Sequence, residues 1–190
     1  NLRINDLNGT VLWLPLQAND ALQLNCSLQD FGSKPGLSGV KWARSYQQML
    51  RETKAFEALQ KKLQANQENQ NQASIEEKYD EAKQTYENFC AQLIEQDLSS
   101  PLNILLSMNL LPTTGFENWD AKHLGTLEKL SKAFQKFFAG QPASQNMAAQ
   151  YQQIEDAYFN YSSTINGTMA APELSLPNPE GQIITLSSLK

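Results

Sequence analysis

Near the start of the chain, apolar residues come in a short run and then in strict alternation. Val11-Leu-Trp-Leu-Pro-Leu16 is the run, and Leu22, Leu24, Cys26 and Leu28 then alternate with Gln23, Asn25, Ser27 and Gln29. A period of two is that of a half-buried strand, so residues 1–30 read as strands, with turn chemistry at Asn8-Gly9 and Asn19-Asp20. Two strands are not stable alone in water, so these need a further sheet or a helical layer. Phe31 to Gly39, punctuated by Gly32, Ser33, Pro35, Gly36 and Ser38, reads as a loop.

The period then lengthens. Trp42, Tyr46, Met49, Leu50, Phe56, Leu59 and Leu63 recur every three or four residues and predict a helix with one apolar face, Ser38 being its candidate N-cap. The amide-rich stretch Gln64–Gln72 interrupts the pattern and reads as an exposed turn or a tip between two antiparallel helices. Ser74-Ile-Glu-Glu77 fits a capping box, and Ile75, Tyr79, Ala82, Tyr86, Phe89, Cys90, Leu93 and Ile94 form the stripe of a second long helix. Ser99-Ser-Pro101 opens a short helix over Leu102–Leu111, apolar nearly all round and so expected to be the most buried. A fourth helix, from about Asn118 or Asp120 to Phe138, turns Leu124, Leu127, Leu130, Phe134, Phe137 and Phe138 inward, and Gly140 and Pro142 end it. A fifth starts at Ser144 and carries Met147, Ala148, Tyr151, Ile154, Tyr158 and Tyr161. After Asn166-Gly167, prolines at 172, 177 and 179 exclude helix, and Gln182–Leu186 reads as a strand.

The expected fold is therefore mainly α: a bundle of about five helices, with a small N-terminal β portion and a truncated C-terminal β-hairpin. It divides into a β portion over 1–39, a helical domain over 40–166, and a linker with a first hairpin of another domain over 167–190.

Charge narrows the function classes. The 190 residues include 15 Lys plus Arg against 20 Asp plus Glu, a net charge of −5. Nucleic acid and anionic membrane surfaces both ask for a basic face, so neither is an expected partner. No apolar run reaches membrane-spanning length; the longest, Leu102–Leu111, is broken by Asn103, Ser107 and Asn109. Two cysteines and one histidine do not supply a zinc or His-based centre, so no metal and no cofactor is expected. Asn and Gln together make up roughly a fifth of the chain and supply polarity that charges usually supply.

The last twenty residues carry the most specific pattern. Ala171-Pro172 is followed by Leu174 and Leu176 in alternation, a polar turn over Asn178–Gly181, a returning strand with Ile183, Thr185 and Leu186, and Leu186-Ser-Ser-Leu-Lys190. This resembles the opening of the thioredoxin-like domain in envelope thiol–disulfide oxidoreductases of the TlpA/ResA type, within the broader AhpC/TSA group. Upstream, Leu14–Leu24 is similar to the closing strands of an N-terminal sheet that some of these proteins carry, with Ala18-Asn19-Asp20 where a Pro-Gly-Asp turn is usual. Gly32-Ser33 resembles the pair that introduces the first long helix, and Ser99-Ser-Pro101 partly resembles the family's Asn-Pro-x-Ser helix. The resemblance implies an accessory N-terminal region that positions a thioredoxin-like domain or binds partners, in the periplasm or cell envelope. The catalytic Cys-x-x-Cys would follow Lys190. The chain starts at Asn1 without a signal segment, so both ends are expected to lie inside a longer protein. This piece is expected to be inactive by itself, with disulfide-bearing substrate proteins or a second copy of the chain as partners. The alternative is a stand-alone helical interaction or ligand-binding module with no redox role.

No catalytic, cofactor-binding or metal-binding residue is assigned from the sequence. Cys26 and Cys90 stand 64 residues apart and are not a Cys-x-x-Cys pair. Cys90 lies on an apolar stripe and reads as a small buried hydrophobe. A structural disulfide between the two and a reactive thiol are the other readings weighed, and inert thiols are expected. His123 has no nucleophile or second ligand at a recognisable spacing and is expected at the surface. Glu76-Glu77 and Asp80-Glu81 suit the negative charge favoured near a helix start better than the paired carboxylates of a glycosidase. Trp13, Trp42, Trp119 and the tyrosines read mostly as core or interface, with a peptide-binding groove as the functional reading. The Asn-x-Ser/Thr sequences at Asn8, Asn25, Asn160 and Asn166 read as accidents of an Asn-rich chain.

Overall fold

The computed structural model describes residues 2–6, 9–27, 29–65, 72–113, 115–168, 175–179 and 182–185. Five α-helices dominate, with two-stranded antiparallel sheets toward both ends of the chain. Strands β1 (Leu2–Asn5) and β2 (Val11–Leu14) pair from Leu2↔Leu14 to Asn5↔Val11. Strands β3 (Gln23–Asn25) and β4 (Gly36–Ser38) pair around Leu24↔Leu37. Helices α1 (Ala43–Ala65) and α2 (Gln72–Gln96) are the long pair. A short α3 (Asn103–Ser107) continues as a 3₁₀ turn (Met108–Leu110), and α4 (Lys122–Phe137) and α5 (Pro142–Ile165) follow. Strands β5 (Ser175–Pro177) and β6 (Ile183–Thr185) form the last hairpin.

The structure divides into two compact units, residues 1–154 and 155–190. In the first, α2 is the central element. It packs against α1, α3, the 3₁₀ turn and α4, and α1 also carries β4. The predicted stripes supply the core: Ile94, Leu110, Leu130 and Phe134 are fully buried, as is Leu14 of β2, and Leu12 is nearly so. The second unit holds the end of α5 and the β5–β6 hairpin.

Several boundaries and orientations differ from the sequence expectation. Helix α1 starts at Ala43, and Ser38 lies in β4 rather than capping it. The loop expected over Phe31–Gly39 contains β4, because Leu37 is buried and its neighbours find ladder partners in β3. Glycine is required at this seam. A Cβ on Gly36 would meet the Asn25 carbonyl at 2.5 Å, and one on Gly39, at φ +86°, would collide with the Ala21 carbonyl. Helix α2 begins at Gln72, so Ser74 sits inside its first turn rather than at its cap. The apolar run 102–111 splits into α3 and the 3₁₀ turn, which leaves Met108 61% exposed. Phe137 is also exposed, with the Lys136 ammonium 5.3 Å from its ring centre, whereas Phe134 and Phe138 are buried and in contact. Of the amide-rich tip, residues 66–71 lie outside the described residues.

Candidate functional site

Helix α2 separates two concave surfaces of the first unit. On one side, α1 and α2 leave an open groove of about 480 Å³. Its lining follows helical spacing on both walls: Glu52, Ala55, Phe56 and Leu59 on α1, and positions 78 to 89 on α2. Phe56 and Tyr86 stack across it, with ring centroids 5.2 Å apart and planes 7° apart, and Phe89 continues the stack beyond Tyr86. The Thr53 hydroxyl lies 2.8 Å from the Met49 carbonyl and shares a 2.6 Å hydrogen bond with the Tyr86 hydroxyl. Burial pushes the Tyr86 hydroxyl up to about 12, against the lowering effect of that bond.

On the other side, α2 faces the segment leading into α4 across a concavity of about 740 Å³. Glu77, Asp80, Glu81 and Asp120 line it, together with Lys83 and Lys122. At its inner end, Glu87 and His123 form a buried pair. His123 Nε2 lies 3.3 Å from Glu87 Oε2, and Lys83 Nζ lies 3.7 Å from Glu87 Oε1. The side chains of His123 and Glu87 are only 2% and 7% exposed. The expectation of a surface histidine is therefore corrected. His123 is a core residue, held by a carboxylate 36 positions away and by the edge of Trp119, whose ring centre is 6.1 Å distant.

The two cysteines are free and unlinked. Cys90 is fully buried, and burial first, then the nearby Glu87 carboxylate, push its thiol up to about 12 against a lowering hydrogen bond with Tyr86. It is held as an unreactive thiol. Cys26 is half-buried. Among the described residues, no group of three or more His, Cys, Asp and Glu side chains is arranged to hold a metal ion. Among them too, no helix is long and apolar enough to cross a membrane. Glu76 and Glu77, like Asp80 and Glu81, are exposed on α2. Trp42 and Trp119 are buried, while Trp13 is 49% exposed beneath the Arg3 guanidinium. Asn25, Asn160 and Asn166 are exposed, and Asn8 lies outside the described residues.

In the second unit, β5 and β6 pair as Ser175↔Thr185, Leu176↔Ile184 and Pro177↔Ile183. The Asn178 side-chain oxygen accepts from the Gln182 amide, and the Asn178 amide donates to the Gln182 carbonyl, both at 2.8 Å, closing the turn. Leu176 and Ile183 are 66% and 65% exposed. Ala171–Leu174 and Leu186–Lys190, which carry the rest of the terminal pattern, lie outside the described residues.

The aromatic groove was not singled out by sequence reasoning. Phe56, Tyr86 and Phe89 read there as part of buried stripes. The available signal was charge at the stripe edges, with Glu52 one helical turn before Phe56 and Lys78 and Glu81 interleaved with the aromatic positions of α2. No protein-family model, no curated protein and no solved structure matches the chain.

Proposed function

We propose that this chain is the accessory region of a cell-envelope thiol–disulfide oxidoreductase, with residues 167–190 leading into a thioredoxin-like domain. The observation that carries the reading is the β5–β6 hairpin. Its antiparallel register, its closed turn at Asn178 and its exposed Leu176 and Ile183 are what the first hairpin of a larger sheet would present. In this reading the helical region positions that domain or holds substrate proteins. Catalysis would belong to a Cys-x-x-Cys beyond Lys190, by thiolate attack on a substrate disulfide through a mixed disulfide. Neither Cys26 nor Cys90 takes that role, since they are far apart in sequence and Cys90 is sealed in the core.

The test joins the chain to whatever its reading frame encodes after Lys190. The joined protein is expected to reduce insulin disulfides with dithiothreitol, while the 190 residues alone stay at background. A reading frame without a Cys-x-x-Cys, or turnover by the 190 residues alone, overturns the proposal. The open aromatic groove favours a second reading, a helical interaction module without redox chemistry.

A further inference from the structure

The α1–α2 hairpin is covered unequally on its two sides. Toward the rest of the first unit, Leu63, Ile75, Cys90 and Leu93 are buried. On the groove side, Leu59 remains 38% exposed, and Phe56, Tyr86 and Phe89 are only half-buried. The groove runs along α2 from Lys78 to Phe89, roughly 16 Å at the helical rise. It is elongated and follows the helices, which suits another helix better than a compact ligand.

Two features of the groove identify its occupant. The first is relief: small side chains at Ala55 and Ala82 sit beside the large rings of Phe56 and Tyr86. Knobs and holes of matching kind are therefore present on one surface. The second is charge. Glu52, Lys78 and Glu81 stand exposed on the rim, and none of the three has an ion-pair partner among the described residues. A rim bearing unpaired charges of both signs complements itself. A single-sign partner would satisfy one part of it and repel the other.

We infer that the α1–α2 groove is a two-fold dimerisation surface that receives the same face of a second copy of this chain, making a four-helix interface. In an isologous contact each residue acts twice, so Lys78 of each copy meets rim carboxylates of the other, and the rings of each copy meet the alanine holes of the other. The patch is short, so the dimer is weak and reversible, dissociating in the micromolar range. The inference does not depend on the redox reading.

Sedimentation equilibrium and light scattering on the 190-residue chain test it. The mass is expected to rise from 21.3 kDa toward twice that value as concentration increases through the micromolar range. Ala82→Arg fills a hole with a charge and is expected to leave a monomer of unchanged helical circular dichroism. Should that variant fold poorly, rim charges supply the second arm. Lys78→Glu makes the rim wholly acidic, and Glu52→Lys with Glu81→Lys makes it wholly basic. Each is expected to self-associate at least about ten-fold more weakly than the parent, and an equimolar mixture of the two is expected to recover dimers. A parent chain that stays monomeric to about millimolar concentration overturns the inference. So does a dimer indifferent to the rim variants, or a mixture that recovers nothing.

Discussion

Glu87 Oε2 lies 3.3 Å from His123 Nε2, tying the middle of α2 to the first turn of α4 inside the core. The carboxylate is nearly shut off from water, and Lys83 Nζ lies 3.7 Å from its other oxygen. Removing one partner of such a pair strands the other in a low-dielectric site, and this is the costly change. His123→Ala is expected to lower unfolding stability by roughly 3 kcal/mol, read from the urea midpoint at constant slope. Glu87→Gln keeps a hydrogen-bonding side chain of the same shape and is expected to cost about 1 kcal/mol. The double variant Glu87→Leu/His123→Leu strands nothing and should be more stable than His123→Ala. A His123→Ala protein with the parental midpoint would show that the pair has no structural weight.

Alkaline pH is expected to destabilise the fold through buried acids. Burial pushes Cys90 from its ordinary 9.0 to about 12, and Tyr46 and Tyr86 from 10.0 to about 12. Between the ordinary and the raised value, the folded chain keeps a proton that the unfolded chain has lost. The unfolded state then binds fewer protons, so stability falls as pH rises. The melting temperature should begin to drop above about pH 9 and drop more steeply above about pH 10. Cys90→Ala should flatten the first part of that curve and leave the second. The same burial predicts the thiol chemistry: at about pH 8 a thiol reagent should leave Cys90 unmodified until the chain is unfolded, while half-buried Cys26 is the reachable one. Rapid labelling of Cys90 in the native protein would contradict its place in the core.

The β5–β6 hairpin contrasts with the helical core in local stability. Three-residue strands that, among the described residues, pair with each other alone, with Leu176 and Ile183 exposed, contribute little burial to hold the ladder. In native-state hydrogen exchange, the amides of Ile183–Thr185 should exchange among the fastest of the hydrogen-bonded amides. Those of Leu127, Leu130 and Phe134 in α4 should be the slowest. Strong protection of Ile184 would mean that something covers the hairpin.

How much of this was legible depends on the range of the forces involved. The α4 stripe from Leu127 to Phe134 and the alternation around Leu176 and Ile183 are local periodicities, and both reappear as a buried helix face and a strand pair. Strands β1 and β4 are four and three residues long, too short for a period, and exist because β2 and β3 offer them partners. The burial of His123 hinges on Glu87, which sequence distance hides but α2–α4 packing brings close. Periodicity placed the apolar residues of α1 and α2 on one stripe each, of which Leu59 and Tyr79 are more than a third exposed. It does not tell which side of a broad stripe is covered, so the groove at Phe56 and Tyr86 emerged only from packing.

Two buried tryptophans allow the weight of one hydrogen bond to be measured. The Trp119 indole N–H donates to the Leu110 carbonyl at 2.7 Å, and Leu110 is fully buried. The Trp42 indole N–H is equally buried but has no hydrogen-bond partner among the described residues, and its ring meets Tyr46 edge-on at 5.7 Å. Trp119→Phe and Trp42→Phe remove the same atoms from sites 8% and 5% exposed, so their packing losses are comparable. Only the first also leaves a buried carbonyl without its donor; the second removes a donor that was already unpaired. Trp119→Phe is therefore expected to destabilise the chain by about 1 to 2 kcal/mol more than Trp42→Phe in parallel urea titrations. Equal losses would mean that the indole–carbonyl bond joining the α3–α4 segment to Leu110 carries no net stability.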